Sequence, residues 1–499
     1  MYSRILQLAG HGVVYGIGSV ASKVIALLLL PIIIRYLEPS SYGKAEVVMT
    51  LVLFTSALVK LGLQNAMMRF SYDAPEHERD DVAARVVQTT LALTLMSLVV
   101  FGGILLAFDS QVAQFFLGDP DVTDLVWYAV LGLWTSVLYA TITATFRIQK
   151  RPGAFLRASL GNVIASAALT LYFVTELHLG VRGLLLGNFL GFLVVIPFAA
   201  WAQREWVLPR IDRALVRPML LFALPTIPMA VAFQSLTLID RTVLSRQAGL
   251  DELGVYGIAA RFAAVVLIVV TALQLSWQPF AYSIEDDDEA RRSYAIVTTW
   301  FAAGMGWIVS GMALLADPVV RTMTVPAYYD AAHLVPLLAL AAGIYGAYFL
   351  VGIGTSRVKR TTWHILVASS AVAVSLVANM TLVREYGATG AAIAAVLANT
   401  TLAVAMLIRS QYVFRVDYEL LRLARPIALT AIALVACYLL PTGTGLESWG
   451  SRIAVALAWP LALAASGFAT APERARIARL MRRVATSRSG GSGTGTGVA

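Results

Sequence analysis

The sequence predicts an all-α integral membrane protein of about fourteen transmembrane helices. Of its 499 residues, 59% are hydrophobic and only 13% are charged, against about 25% charged in ordinary soluble domains. Apolar runs of about 20 residues, each long enough to cross a bilayer, recur from one end to the other. Between them, Lys and Arg crowd into alternate segments. An α-helix satisfies its own backbone in lipid, so repeated apolar runs imply a helical bundle.

The spans are expected near 12–34, 44–66, 84–108, 124–146, 154–175, 180–202, 215–238, 253–275, 294–316, 332–354, 361–383, 388–410, 423–440 and 451–469. The opening MYSRILQLAGHG passes directly into the first span without a small-residue cleavage pattern, so it reads as an uncleaved first helix. The loops are short, and none has room for a soluble catalytic domain. The single cysteine, Cys437, lies in an apolar run and has no second cysteine to bond.

Loop charges set the orientation. With the N-terminus inside, the inner segments hold clusters such as Arg147, Lys150, Arg151 and Arg157, then Arg204, Arg210, Arg213 and Arg217, and a tail with Arg474, Arg476, Arg479, Arg482 and Arg483. The loop from Asp109 to Asp124 carries four aspartates and no Lys or Arg, and so faces out. The positive-inside rule therefore predicts a multi-pass protein with both termini cytoplasmic. It also accounts for the net charge of +9, which in a soluble chain would suggest nucleic acid.

Two internal echoes suggest duplication. Tyr42-Gly43 opens the second span and Tyr256-Gly257 the eighth; HLGVRGLLLGN from His178 resembles EYGATGAAIAAVLAN from Glu385, pairing Gly180 with Gly387. The expected organisation is a six-helix lobe (1–212), a second six-helix lobe (213–415), two added helices (416–472) and a basic, Gly/Ser-rich tail (473–499). Because six is even, the lobes are related by a pseudo-two-fold axis along the membrane normal, as in parallel-repeat transporters that rock one lobe against the other.

Several motifs together carry a family resemblance: LLLLPIIIRYLEPSSYG at 27–43, KLGLQNAMMRFSYD at 60–73, LPTIPM at 224–229, IDR at 239–241, GVYGIAARF at 254–262, QPF at 278–280 and ANMTLVREYGATGAAIAAVLAN at 378–399. The chain resembles the oligosaccharide-lipid flippases of the multidrug/oligosaccharidyl-lipid/polysaccharide exporter superfamily. That resemblance implies movement of undecaprenyl-pyrophosphate-linked repeat units to the outer leaflet of the bacterial cytoplasmic (inner) membrane, for O-antigen, capsule or exopolysaccharide synthesis. It implies no cofactor and a monomer among membrane lipids, with polysaccharide polymerase and chain-length machinery as neighbours. Lipid II flippases and cation-coupled drug exporters share the superfamily and stand as alternatives.

Charges inside apolar spans are costly, by about 2.5–3.5 kcal/mol at a helix centre, and so mark pathways or ligands. Lys23, Lys60 and Arg261 sit within spans, and the sequence places no carboxylate as deep. Buried cations point to an anionic cargo. Lys23 and Arg261 are the expected pyrophosphate ligands, since Arg binds phosphate bidentately; the alternative for Arg261 is an ion pair with Asp240. Lys60 equally suits snorkelling to the inner interface, and Arg69 an ordinary positive-inside anchor. Gln234 and Gln274 are candidates for sugar hydroxyls. Glu46 and Asp240 are candidates for ion coupling, as a drug antiporter requires. Asn379 is expected to serve helix packing. EDDDEA at 285–290 reads as a solvated charge run, and the scattered histidines have no metal-ligand spacing. No nucleophilic triad, phosphate loop or dinucleotide motif appears. A polysaccharide polymerase would need a long outer loop, which is missing; a non-transporting scaffold is separable only by assay.

Overall fold

The computed structural model describes residues 24–25, 27–73, 78–358, 363–471 and 473–474. Among them there are helices and turns and no strand. The chain is a multi-pass membrane protein: eleven of the described helical segments are long and apolar enough to cross a bilayer. The difference from fourteen has three sources. The first expected span lies largely outside the described residues. Trp363–Val413 is continuous except at Gly387, where φ 54 and ψ −132 break it, so one segment contains the spans expected at 361–383 and 388–410. Leu446–Ala465 is a helix at the last expected span, but its content of polar residues keeps it out of the eleven.

The helices are α1 (Pro39–Val59), α2 (Leu63–Phe70), α3 (Arg79–Ala107), α4 (Asp109–Leu117), α5 (Thr123–Ile148), α6 (Pro152–Leu171), α7 (Gly180–Trp201), α8 (Arg213–Ala223), α9 (Ile227–Gln247), α10 (Leu250–Ser283), α11 (Asp287–Met323), α12 (Ala331–Val351), α13 (Ile353–Arg357), α14 (Trp363–Val413), α15 (Leu420–Leu439) and α16 (Leu446–Ala465). Proline at the first turn suits α1 and α6, where its missing N–H has no partner to lose. The expected second span ran to 66, but α1 stops at Val59 because Leu61 (φ 47) and Gly62 (φ 67) turn left-handed. Conversely, α9 runs to Gln247 rather than 238 and stops before Gly249 (φ 97). Asp240 and Arg241, beyond the expected span end at 238, are therefore helical.

Packing runs α5 on α7, α6 on α7, α10 on α12, and α12 on α14. The N-terminal and C-terminal halves meet where α1 lies against α9 and α10. That crossing is close: a Cβ on Gly43 would sit 2.0 Å from the Leu250 carbonyl oxygen, and one on Gly254 2.0 Å from that of Pro39. The halves meet again at the other end of these helices, where Ala66, Met67, Val86 and Val87 bury against Met219 and Ala223 of α8. The two glycines paired by the sequence echo share one conformation, φ 57 at Gly180 and 54 at Gly387. Each opens a helix, and at Gly387 the Glu252 carboxylate accepts from the Ala388 N–H at 3.0 Å.

The added helices are pinned by Arg452, 1% exposed. Its guanidinium donates to the carbonyls of Leu314 (2.8 Å), Cys437 (3.2 Å), Leu440 (3.3 Å) and Pro441 (3.2 Å). Three of these end α15, where a cation matches both the orphan carbonyls and the helix dipole. Arg452→Leu is expected to lower unfolding free energy by about 3 kcal/mol, because buried acceptors lose their donors. A reduced thermal midpoint in detergent checks this; an unchanged one contradicts it.

Candidate functional site

The crossing of α1 with α9 and α10 holds a network of four charged residues. Glu46, two turns into α1, reaches both partner helices. Arg241 of α9 donates from Nε to its Oε2 at 3.0 Å, and Arg261 Nη2 of α10 lies 3.7 Å from its Oε1. The Glu46 side chain is 8% exposed, that of Arg241 18% and that of Arg261 30%. Arg261 lies over the Tyr42 ring, 5.4 Å from its centroid, and its Nη2 approaches Met49 Sδ at 3.8 Å. Its Nε is buried without a hydrogen-bond partner.

Asp240 faces the other way from Arg241. Its Oδ1 accepts from Asn379 Nδ2 at 2.8 Å and Ser375 Oγ at 3.3 Å, both on the first part of α14 and both fully buried. Adjacent residues thus clamp α9 between α1 and α14. A second contact continues the α1–α9 seam: Gln234 Nε2 lies 3.5 Å from the Leu53 carbonyl. Gln234 is seven residues before Arg241 and Leu53 seven after Glu46, the register of two antiparallel helices meeting along one face. Burying unpaired charge is expensive, and removing one partner of a buried pair costs about 3–5 kcal/mol, so each charge on this seam depends on its partner across it.

The expectation that no carboxylate lies as deep as the cations is corrected here. Glu46 contacts Arg261 directly, and the partner of Arg261 is Glu46 rather than Asp240. The reason lies in the helix limits: α1 begins at Pro39 rather than 44, carrying Glu46 inward, and α9 extends through Asp240 and Arg241. Two carboxylates and two guanidiniums make the network balanced, not purely cationic.

The structure brings together Arg261, Glu46, Asp240 and Gln234. It does not bring the others. Lys60 caps the C-terminus of α1, at the opposite end from Glu46. Arg69 is exposed on α2 and pairs with Asp73 at 3.3 Å. Gln274 is thirteen residues beyond Arg261 on α10, about 20 Å along the axis at 1.5 Å per residue. Lys23 lies outside the described residues. Sequence reading missed Arg241 and Tyr42. The signal for Arg241 was the apolar spacing that continues through Val243 and Leu244 to Gly249, which extends a helix past the charged pair. No group of three or more potential metal ligands occurs among the described residues.

The family model for polysaccharide biosynthesis proteins matches residues 32–333. The succinoglycan biosynthesis transport protein ExoT of Rhizobium meliloti (strain 1021) is 27% identical over 329 residues, 63% of this chain and 62% of that protein. The Lsg locus putative protein 1 of Haemophilus influenzae is 27% identical over 282 residues, 54% of this chain and 65% of that protein. The chain thus spans less than two thirds of the length of either curated relative. A lipid II flippase, MurJ, in an inward closed conformation matches with a TM-score of 0.69 at 14% identity, covering 91% of this chain and 99% of that one. An inward-facing multidrug resistance MATE family transporter of the MOP superfamily matches with a TM-score of 0.64 at 14% identity, covering 81% and 96%. At these identities the shared property is the fold.

Proposed function

The chain belongs to the polysaccharide biosynthesis protein family, and we propose that it is a flippase for polyprenyl-pyrophosphate-linked oligosaccharides. It moves undecaprenyl-pyrophosphate-linked repeat units from the cytoplasmic to the outer leaflet of the bacterial inner membrane. The observation that carries this reading is the Glu46–Arg241–Arg261 network joining the two halves. The names of similar proteins, a succinoglycan transport protein and a lipid II flippase, favour a lipid-linked sugar as cargo.

The two halves act as six-helix lobes, 1–212 and 213–415, with both termini cytoplasmic. The α1–α10 crossing is then the outer closure, and the packing of α2 and α3 on α8 the inner one. Alternating access separates one set of contacts while the other holds. Arg261 is the hinge of the chemistry. Its Nε lacks a partner and its contact with Glu46, at 3.7 Å, is longer than that of Arg241. A pyrophosphate offers Arg261 a bidentate, charge-assisted partner. Its arrival competes with Glu46, loosens α1 from α10 and permits the outer closure to open. Gln234 binds sugar hydroxyls beside the seam, and Lys23, Lys60 and Arg69 guide the anionic headgroup inward.

One observation favours a second reading, a cation-coupled antiporter: Asp240 and Glu46 are buried carboxylates of the kind that exchange protons or Na⁺. Proteoliposomes separate the two. The flippase reading predicts that a fluorescent undecaprenyl-pyrophosphate oligosaccharide gains exposure on the far leaflet without an imposed ion gradient, and that Arg261→Ala abolishes this. Cation-driven efflux of a hydrophobic dye, with no headgroup movement, would support the antiporter.

A further inference from the structure

A cavity lies apart from the α1–α10 seam and takes no part in the transport proposed above. It has a volume of about 430 Å³ and opens where α5 and α7 end and α3 begins. We infer that it is a binding site for the zwitterionic headgroup of a bilayer phospholipid of the phosphatidylethanolamine class.

The carrying observation is Gln203. It lines the cavity, is 4% exposed, and donates from Nε2 to the Ile142 carbonyl at 2.8 Å. That bond orients the amide and leaves Oε1 buried with no donor. A buried acceptor is costly to leave unpaired, so Gln203 Oε1 favours a ligand that brings a hydrogen-bond donor. The surroundings point the same way. The last carbonyls of α5 and α7 give this end a partial negative charge. Arg151 uses Nη1 on two acceptors, the Ala202 carbonyl at 3.2 Å and Gln149 Oε1 at 3.4 Å. Asp80 and Glu205, both exposed, line its opening. An ammonium, with three donors and a positive charge, suits these acceptors.

The same opening also carries cations. Arg204 lines the cavity and is exposed, and Lys150 lines an adjoining space of about 220 Å³ that shares Asp80 and Gln149 with the first. Ser71, fully buried, lines that space with its hydroxyl unpartnered. Arg204 and Lys150 are placed for a phosphate, and the 71% exposed Trp201 is the aromatic residue expected at a membrane interface. A phosphate alone leaves Gln203 Oε1 without its donor and sets two carboxylates against an anion. Phosphate joined to an ammonium satisfies both the acceptors and the cations.

The test uses the full chain in vesicles containing equal phosphatidylethanolamine and phosphatidylglycerol, with retained lipid read by native mass spectrometry. The wild type is expected to retain phosphatidylethanolamine preferentially, and the Arg204→Ala/Glu205→Ala double variant to lose that preference by about tenfold or more. Both side chains are exposed, and the Glu205 carbonyl that accepts from Gln88 at 3.0 Å is unaffected. Gln203→Leu, which removes the orphan acceptor, is expected to act in the same direction. Equal or preferred retention of phosphatidylglycerol overturns the inference, as does a double variant that retains lipid like the wild type. In vesicles lacking phosphatidylethanolamine, binding of soluble glycerophosphoethanolamine as tight as that of the lipid would assign the site to a dissolved ligand and overturn its assignment to the bilayer.

Discussion

Glu46→Gln is expected to abolish movement of the lipid-linked headgroup and to lower stability by about 3–5 kcal/mol, because it leaves two guanidiniums without their shared carboxylate. The amide is nearly isosteric, so the packing of Tyr42 and Gly257 around the side chain is kept and charge is the variable. Thermal unfolding in detergent reads the stability and a proteoliposome assay reads the movement. The Arg241→Gln variant removes the 3.0 Å pair and leaves Arg261 as a partner for Glu46, so its loss is expected to be smaller. The double variant Glu46→Gln/Arg241→Gln is expected to be more stable than the sum of the single changes predicts, since residues in one network couple. Additive losses would mean that the two side chains are adjacent without depending on each other.

The second large effect is expected at Gly254. A Cβ there would fall 2.0 Å from the Pro39 carbonyl oxygen, and backbone cannot yield as a flexible side chain does. Gly254→Val is expected to hold α1 and α10 apart and so disfavour the closure between them. The reporter is Gln234→Cys in a Cys437→Ala background, treated from outside with a membrane-impermeant thiol reagent. Reaction is expected to be slow while Gly254 is retained and at least several-fold faster once Gly254→Val is added. Equal rates would show that the crossing does not control access from that side. Gly103, with open space around a Cβ, supplies a control: Gly103→Val is expected to leave the rate unchanged.

The fold was legible because lipid imposes a simple rule on sequence. Apolar length marked nearly every described span, and the kink at Gly387 fell between the limits expected for two helices. The echo of Gly180 with Gly387 was visible as sequence and is matched by nearly equal φ angles. Helix ends were harder where charge met an apolar run. Asp240 and Arg241 looked like the edge of a span because isolated charges are costly in a membrane. Their partners, Asn379 and Glu46, are 139 and 195 residues away in sequence, so the compensation that keeps them helical is invisible to local reading. The same distance hid the balance of the site. Arg261 was identified as a buried cation, but Glu46 became its partner only when α1 began five residues earlier than expected. The amide of Gln234 marks it as a sugar ligand by chemistry alone, and its place on the seam follows from the seven-residue spacing to Arg241.

Whether this chain moves a lipid-linked oligosaccharide by opening and closing a charged seam can be read in cells. Lipid-linked oligosaccharides are measured by mass spectrometry, with leaflet accessibility scored, in cells that lack this protein and any redundant flippase, with wild type or Arg261→Ala restored. A complete repeat unit is expected to be trapped on the cytoplasmic leaflet, released by the wild type and not by Arg261→Ala despite equal membrane insertion. An unchanged lipid pool in the deleted strain, or full release by Arg261→Ala, would contradict it.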